Sequence, residues 1–272
     1  MIKAIFFDID GTLVSVKTHE ILPQDREALA NLQRRGIKVI LSTGRHIDFT
    51  NNAPFPVDGI IGTNGAMGHL TADGKPHLVR EERNLFKQLY SHPMPRELAR
   101  EIVAKINEHH LTTVVFTEKG PFVNKYSECY LEGEKILKFP RLDIADLEKA
   151  AETEGFLSLC VFATLDEEAE YFSSLRDKVT ITRWCPQFMD INQKGATKGA
   201  SLEEVAGHLG ISIAETAAFG DGGNDISMIM AAGTGVAMGN ASPEVRAAAD
   251  FVTASVEEGG VSLALEKLGL LG

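Results

Sequence analysis

The stretch IFFDIDGTLV, residues 5–14, places two carboxylates, Asp8 and Asp10, directly after a continuous apolar run. A short run rich in β-branched and aromatic residues predicts a buried strand, here over residues 3–9. Side chains two apart on an extended strand share a side, so Asp8 and Asp10 can start from one face while Ile9 points to the other. Gly11 then allows a sharp turn. The stretch therefore predicts a rigid strand that presents two acids at the edge of a sheet.

The segments around this strand alternate between helix and strand. The pattern predicts a helix over 23–35, with Pro23 in its first turn and Gly36 as its stop, and then strands over 37–44 and 58–65. The C-terminal part repeats the alternation, with a helix over 198–209, a strand over 216–220, a helix over 224–233, a strand over 234–239 and a helix that starts at 242–244. This rhythm predicts an α/β fold with a Rossmann-like parallel sheet.

The middle of the chain follows a different pattern. Amphipathic helices are predicted over 95–109, 143–154 and 166–175, and strands over 112–117, 156–163 and 179–184. We therefore predict a separate α+β domain over residues 83–188, inserted into a parallel-sheet domain made of residues 1–82 and 189–272.

The composition is typical of a globular protein, with 44% hydrophobic and 24% charged residues among 272. The 27 basic and 38 acidic residues give a net charge of −11, and no basic stripe offsets it, so we expect no nucleic-acid partner. No apolar run reaches the roughly 18 residues that span a bilayer, and the N-terminus lacks the features of a signal peptide. We expect a cytoplasmic protein with no membrane partner. Cys129, Cys160 and Cys185 lack metal-ligand spacing, which predicts reduced thiols in or near a core.

Polar residues follow several of the predicted strands. Asp8 and Asp10 follow the first strand, and the others are followed by STGR at 42–45, TNG at 63–65 and GDGGND at 220–225. Ligands of open α/β sheets bind beyond the carboxyl ends of the strands. If these strands are neighbours, the side chains converge on one spot: Asp8, Asp10, Asp221 and Asp225, with Thr43 and Lys198.

Such a cluster indicates metal-assisted phosphoryl transfer. Converging carboxylates repel one another, and oxygen-rich clusters of this kind are what Mg²⁺ selects. Lys198 starts a predicted helix, where a cation opposes the helix dipole; it either reaches away into solvent or meets a bound anion. GDGGND lacks the last glycine of a dinucleotide fingerprint, and no P-loop is present.

The ordered motifs resemble those of haloacid dehalogenase superfamily phosphatases, most closely the Cof-like group of sugar-phosphate phosphatases. The matching stretches are DIDGTL at 8–13, STGR at 42–45, TNGA at 63–66, KGASL at 198–202, GDGGND at 220–225 and GNASPEVRAAADFVT at 239–253. The resemblance implies a Rossmann-like core domain and an inserted cap domain that reads the substrate.

The resemblance also implies a role for each matching position. Asp8 is expected to be the nucleophile that forms an aspartyl-phosphate, and Asp10 the general acid and then the base. Mg²⁺ is expected to bind Asp8 and Asp221 directly, with the Asp10 backbone carbonyl as a third ligand and Asp225 acting from the outer shell or through water.

The remaining expected site residues contact the substrate. Thr43, Gly44 and Lys198 are expected to bind the transferring phosphoryl group, and Asn224 to orient Lys198 or the phosphate. Arg45 and Asn64 are assigned to the leaving group or the cap.

The predicted function is a Mg²⁺-dependent phosphatase that acts on small phosphorylated metabolites, with hexose phosphates as the leading substrates. The alternatives are a phosphomutase on the same scaffold, or a phosphatase for a nucleotide or cofactor phosphate such as pyridoxal phosphate or flavin mononucleotide. A non-catalytic sensor is a further alternative, against which the presence of both Asp8 and Asp10 argues. We expect a monomer or a small homo-oligomer.

Overall fold

The computed structural model describes residues 1–50, 55–137, 141–185 and 187–271. Its strands are β1 (Ala4–Phe7), β2 (Lys38–Ser42), β3 (Gly59–Gly62), β4 (Met67–Thr71), β5 (Phe86–Ser91), β6 (Thr112–Thr117), β7 (Gly120–Val123), β8 (Phe156–Phe162), β9 (Val179–Cys185), β10 (Phe188–Gln193), β11 (Thr216–Gly220), β12 (Gly235–Ala237) and β13 (Phe251–Val252). Its α-helices are α1 (Pro23–Arg34), α2 (Arg96–Glu108), α3 (Glu128–Leu137), α4 (Leu147–Thr153), α5 (Leu165–Tyr171), α6 (Lys198–His208), α7 (Ile226–Ala231), α8 (Pro243–Ala248) and α9 (Gly260–Lys267).

The chain forms two units, one made of Met1–Tyr90 and Thr197–Gly272 and the other of Ser91–Ala196. Both borders fall later along the chain than the predicted ones at residues 83 and 188. Strand pairing is the reason. The strand β5 belongs to the sheet of the first unit, and β10 pairs with β8 and β9 in the second unit.

The first unit is built on a mainly parallel sheet with the strand order β13-β12-β11-β1-β2-β3-β4-β5. The strand β1 lies between β2 and β11, parallel to both, and β4 runs antiparallel to β3. All four residues of β1 are fully buried, as expected for a central parallel strand. The predicted α/β fold with a parallel sheet is confirmed.

Helices α6 and α7 cover one face of this sheet. Phe6, Ile40 and Ala218 of the sheet share a buried cluster with Leu202 of α6 and Met228 of α7. Helix α1 packs against β2 and α9. Because covering helices bury the inner strands, the first residues free to reach a ligand are those just after the strands.

Two predicted elements are shorter than expected at this edge. The strand predicted over 58–65 stops at Gly62, since Thr63, Asn64 and Gly65 have φ values of 50°, 55° and 108°. The helix predicted over 224–233 is α7, which spans only Ile226–Ala231 and is preceded by a 3₁₀ turn at Gly223–Asp225. Both shortened elements lengthen the loops that carry polar side chains.

The second unit is an antiparallel sheet with the strand order β7-β6-β8-β10-β9. Alternate strand residues such as Val115, Leu159 and Ile191 share a buried core with α2 and α4. The expectation of cysteines in or near a core fails at Cys129, which is exposed; Cys160 is half-buried, and the side chain of Cys185 lies outside the described part. Within the described ranges, no helix combines the length and apolar character needed to cross a membrane.

Candidate active site

Asp8 and Asp10, after the end of β1, differ in burial. The N–H of Asp8 donates to the Phe219 carbonyl at 2.9 Å, so Asp8 still follows the register of the sheet, and it is buried. Gly11 then adopts a φ of 88°, a conformation that glycine reaches at little cost, and its N–H donates to the Val14 carbonyl. The turn leaves the Asp10 side chain 40% exposed.

Lys198 lies in the first turn of α6 and pairs with carboxylates of two of the acidic motifs. Its Nζ donates to Asp8 Oδ1 and to Asp225 Oδ1, each at 2.6 Å, and the residue is only 1% exposed. Burial opposes the charge on Lys198, but the carboxylates of Asp225 and Asp8 outweigh it and raise its pKa. Lys198 therefore does not reach away into solvent but pairs with two protein carboxylates. Its contact with a bound anion stays a prediction.

Asp225 braces the loop that carries Asp221. Its Oδ2 accepts hydrogen bonds from the N–H groups of Asp221 at 3.0 Å and Gly222 at 2.9 Å, while its Oδ1 accepts from Lys198. The side chain is fully buried. With three donors around it, Asp225 holds the loop and the lysine in place. Its outer-shell role toward a metal stays a prediction.

The donor set fits a divalent cation. Carboxylate oxygens of Asp8, Asp221 and Asp225 lie within 4.8 Å of one another. Burial raises the pKa of Asp8 well above its usual range, Asp225 adds to the rise, and Lys198 opposes it. Burial and then Asp225 likewise raise the pKa of Asp221 to about 7. Lys198 alone does not neutralise the three carboxylates, and oxygen ligands of this kind suit Mg²⁺.

The Asp10 carboxylate lies outside this group and pairs with Arg45. Arg45 Nε donates to Asp10 Oδ2 at 2.8 Å and Arg45 Nη2 donates to Asp10 Oδ1 at 2.6 Å, a bidentate arrangement. Of the four aspartates expected at one spot, Asp8, Asp221 and Asp225 thus form one cluster and Asp10 pairs with Arg45.

A second set of predicted residues lies around the end of β2. Thr43 is buried, and its Oγ1 accepts from the Arg45 N–H at 3.1 Å. Asn64 Oδ1 accepts from Asn224 Nδ2 at 2.8 Å, and a Cβ added to Gly44 would come within 3.1 Å of the same Asn64 oxygen. The STGR, TNG and GDGGND motifs therefore meet, as the sequence predicts.

Two residues near Asp221 were absent from the predicted site. Thr12 Oγ1 donates to Asp221 Oδ1 at 3.2 Å, and Asn240 Nδ2 donates to Asp221 Oδ2 at 3.0 Å. Both stand inside stretches that carry the resemblance, DIDGTL and GNASPEVRAAADFVT. Their position in those motifs was the one signal that they could belong to the site. The local sequence does not show that their side chains reach Asp221.

Comparisons with known proteins point to one enzyme family. The family model of haloacid dehalogenase-like hydrolases matches residues 5–265. YkrA of Bacillus subtilis, whose name marks it as a candidate phosphatase, is 33% identical over 99% of this chain and 98% of its own. The structure of BT1666 from Bacteroides thetaiotaomicron, described among phosphatases of the haloalkanoate (HAD) superfamily, has a TM-score of 0.85 and 32% identity over 99% of this chain and 96% of its own. The structure of BT4131, described as a subclass IIB sugar phosphatase, has a TM-score of 0.84 and 34% identity over 98% of this chain and 99% of its own.

Proposed function

The chain belongs to the haloacid dehalogenase-like hydrolases and is a phosphatase of that family, and from this premise we propose that it hydrolyses sugar phosphates with Mg²⁺ as cofactor. The observation that carries the proposal is the cluster of Asp8, Asp221 and Asp225, in which Lys198 pairs with Asp8 and Asp225. This group offers a nucleophile, a cation site and a fixed positive charge within one cluster.

In the first half-reaction, an Asp8 oxygen attacks phosphorus and the bond from phosphorus to the alcohol oxygen breaks, which gives an aspartyl-phosphate. Asp10 donates a proton to the departing alcohol. In the second half, Asp10 takes a proton from water, the water oxygen attacks phosphorus, and Asp8 is released with inorganic phosphate. Arg45 donates to both carboxylate oxygens of Asp10 and so holds in place the side chain that transfers both protons.

Positive charge around the phosphoryl group is the second requirement. Mg²⁺ held by Asp8 and Asp221 would supply positive charge that offsets the negative charge on the equatorial oxygens of the transition state. Lys198 is fixed by Asp8 and Asp225 before the substrate arrives, so its charge needs no reorganisation during the reaction. We assign the hydroxyl of Thr43 to the same phosphoryl group.

The substrate class rests on similarity. BT4131, at 34% identity over nearly the whole chain, is described as a sugar phosphatase. We also assign the unit Ser91–Ala196 as the cap, because it is inserted between the STGR motif and Lys198, where the resemblance places one.

A phosphate-release screen tests the proposal. Purified protein is incubated with hexose, nucleotide, pyridoxal and flavin phosphates, with Mg²⁺ or with EDTA. We expect release from hexose phosphates that depends on Mg²⁺. Preference for another ester class would overturn the sugar assignment, and isomerised phosphosugar without free phosphate, followed by NMR, would identify a phosphomutase.

Asp8→Asn tests the nucleophile. The amide preserves shape but cannot attack phosphorus, so we expect turnover to fall by at least about 10⁴-fold, with the far-UV spectrum unchanged. Asp73→Asn, at an exposed position of the same unit, is the control and should keep wild-type turnover. Activity retained in Asp8→Asn would remove Asp8 from the chemistry.

A further inference from the structure

Asn240 links three separate loops through one exposed side chain. Its Nδ2 donates to the Gly11 carbonyl at 2.8 Å and to Asp221 Oδ2 at 3.0 Å. Its Oδ1 accepts from the Val256 N–H at 2.9 Å. The turn after β1, the loop after β11 and the turn before α9 are thereby held together at a single amide.

The Asp221 carboxylate is confined from several sides. Oδ1 accepts from Thr12 Oγ1 at 3.2 Å, and Oδ2 accepts from Asn240 Nδ2. Gly11 closes the remaining side, because a Cβ built on it would lie 2.2 Å from Asp221 Oδ2. Each oxygen of Asp221 thus has its own donor. Because Gly11 has no side chain, the Asp221 carboxylate can lie close to the turn that follows Asp8.

We propose that Asn240 is a positioning residue that orients the Asp221 carboxylate for Mg²⁺, an inference that rests on the proposed function. An amide anchored by Val256 and donating to Oδ2 fixes the rotation of the carboxylate and so the direction of its metal-binding lone pairs. Partners of this kind typically account for about 10–100-fold in metal affinity. The hydrogen bonds of Asn240 go to Asp221 and to backbone groups of Gly11 and Val256, so we expect its effect on metal binding rather than on the chemical step.

Calorimetric titration with MgCl₂, without substrate, tests the inference on Asn240→Ala and Asn240→Ser. Alanine removes all three hydrogen bonds, whereas serine stays polar but is too short to reach Asp221. The matched control is Asn107→Ala, which removes an amide that donates to Glu148 at 3.0 Å on the surface of the second unit. We expect the Kd for Mg²⁺ to rise about 10–100-fold in both Asn240 variants and to stay unchanged in the control.

Two companion measurements separate positioning from a general structural role. Thermal unfolding in EDTA should give midpoints for the Asn240 variants within a few degrees of Asn107→Ala, and kcat at saturating Mg²⁺ should stay within a few-fold of wild type. A wild-type Kd for Mg²⁺ in both Asn240 variants would overturn the inference, as would a loss of kcat that saturating Mg²⁺ does not restore. The proposed function fails separately, if wild-type protein with Mg²⁺ releases no phosphate from any ester.

Discussion

Lys198→Met removes the charge on which the burial of the acidic group depends. Methionine is unbranched and similar in length, so it fills the space of the lysine stem. In the wild-type protein, Nζ lies 2.6 Å from both Asp8 and Asp225, and the Lys198 side chain is 0% exposed. Breaking a buried ion pair from one side costs about 3–5 kcal/mol, because an uncompensated charge stays buried. We expect the free energy of unfolding in EDTA to fall by this amount at about pH 7.5.

The chain offers a matched control in the same unit. Lys3 forms an ion pair with Glu215 at 2.7 Å, nearly the same distance, but its side chain is 57% exposed. Exposed pairs contribute about 0–1 kcal/mol, so Lys3→Met should change the free energy of unfolding by no more than that. Urea unfolding followed by circular dichroism measures both variants. The difference between the two changes in free energy of unfolding measures the effect of burial, because both substitutions remove the same charge.

The penalty in Lys198→Met should also depend on pH. Lys198 lowers the pKa of Asp8, which burial already raises above 3.8, so its loss raises that pKa further. A folded-state pKa above the unfolded value means that the folded protein binds more protons between the two values, and its stability falls as pH rises through that window. We therefore expect Lys198→Met to be less destabilising at about pH 5 than at about pH 8.

The reasoning would be refuted if Lys198→Met cost no more than Lys3→Met at about pH 8, or if the cost did not change with pH. Either result would mean that Asp8 and Asp225 do not depend on Lys198 for their burial. Turnover gives an independent readout, since a near-wild-type rate constant in Lys198→Met would place the residue outside the phosphoryl-transfer site.

Two further perturbations follow from the same structure. Gly11→Ala forces a side chain into a φ of 88° and places its Cβ 2.2 Å from Asp221 Oδ2, so Mg²⁺ affinity measured by calorimetry should fall at least about 10-fold. Gly36→Ala is the control, because Gly36 has a similar φ of 76° but no atom within 4 Å of the added Cβ. This variant should lose about 1–2 kcal/mol of stability but keep Mg²⁺ binding. Equal Mg²⁺ affinities in the two variants would contradict the steric argument. Burial lowers the pKa of His69 from 6.5 to about 4, so the unfolded chain binds the proton first and stability is lost as pH falls below 6.5. By about pH 5 this loss should reach about 2 kcal/mol in denaturant titrations, and His69→Gln should flatten the dependence; an unchanged slope in that variant would assign the effect elsewhere.

The functional motifs could be located from sequence because each stands at the end of a strongly patterned element. The apolar run before Asp8 and the run before Asp221 predict buried strands by local composition alone, and β1 and β11 are indeed paired neighbours. Parallel strands share one carboxyl edge, so the proximity of Asp8 and Asp221 follows from the order of elements. The family and the enzyme class were therefore predictable from the chain.

The borders between the two units could not be predicted from local sequence patterns. Strand β5 precedes the insertion and strand β10 lies near its end, and each is assigned to a unit only by the sheet that it joins. Hydrogen-bond partners that are distant in sequence decide such cases, and local periodicity carries no information about them. The same holds for the early end of β3, where positive φ values at Thr63 and Asn64 stop the strand inside an apparently suitable sequence.

The sequence by itself determined where the candidate residues stand: the acids and Thr43 at the ends of strands in an α/β chain, and Lys198 at the start of a helix. Only the tertiary structure decided which partner each carboxylate has. Lys198 donates to Asp8 and Asp225, Arg45 to Asp10, and Asn240 to Asp221. The physical reason is that spacing and composition fix local geometry, whereas the partner of a charge depends on which side chains approach within hydrogen-bonding distance after folding. Asn240 and Asp10 are 230 residues apart in the chain, yet their neighbourhoods meet at the Gly11 turn.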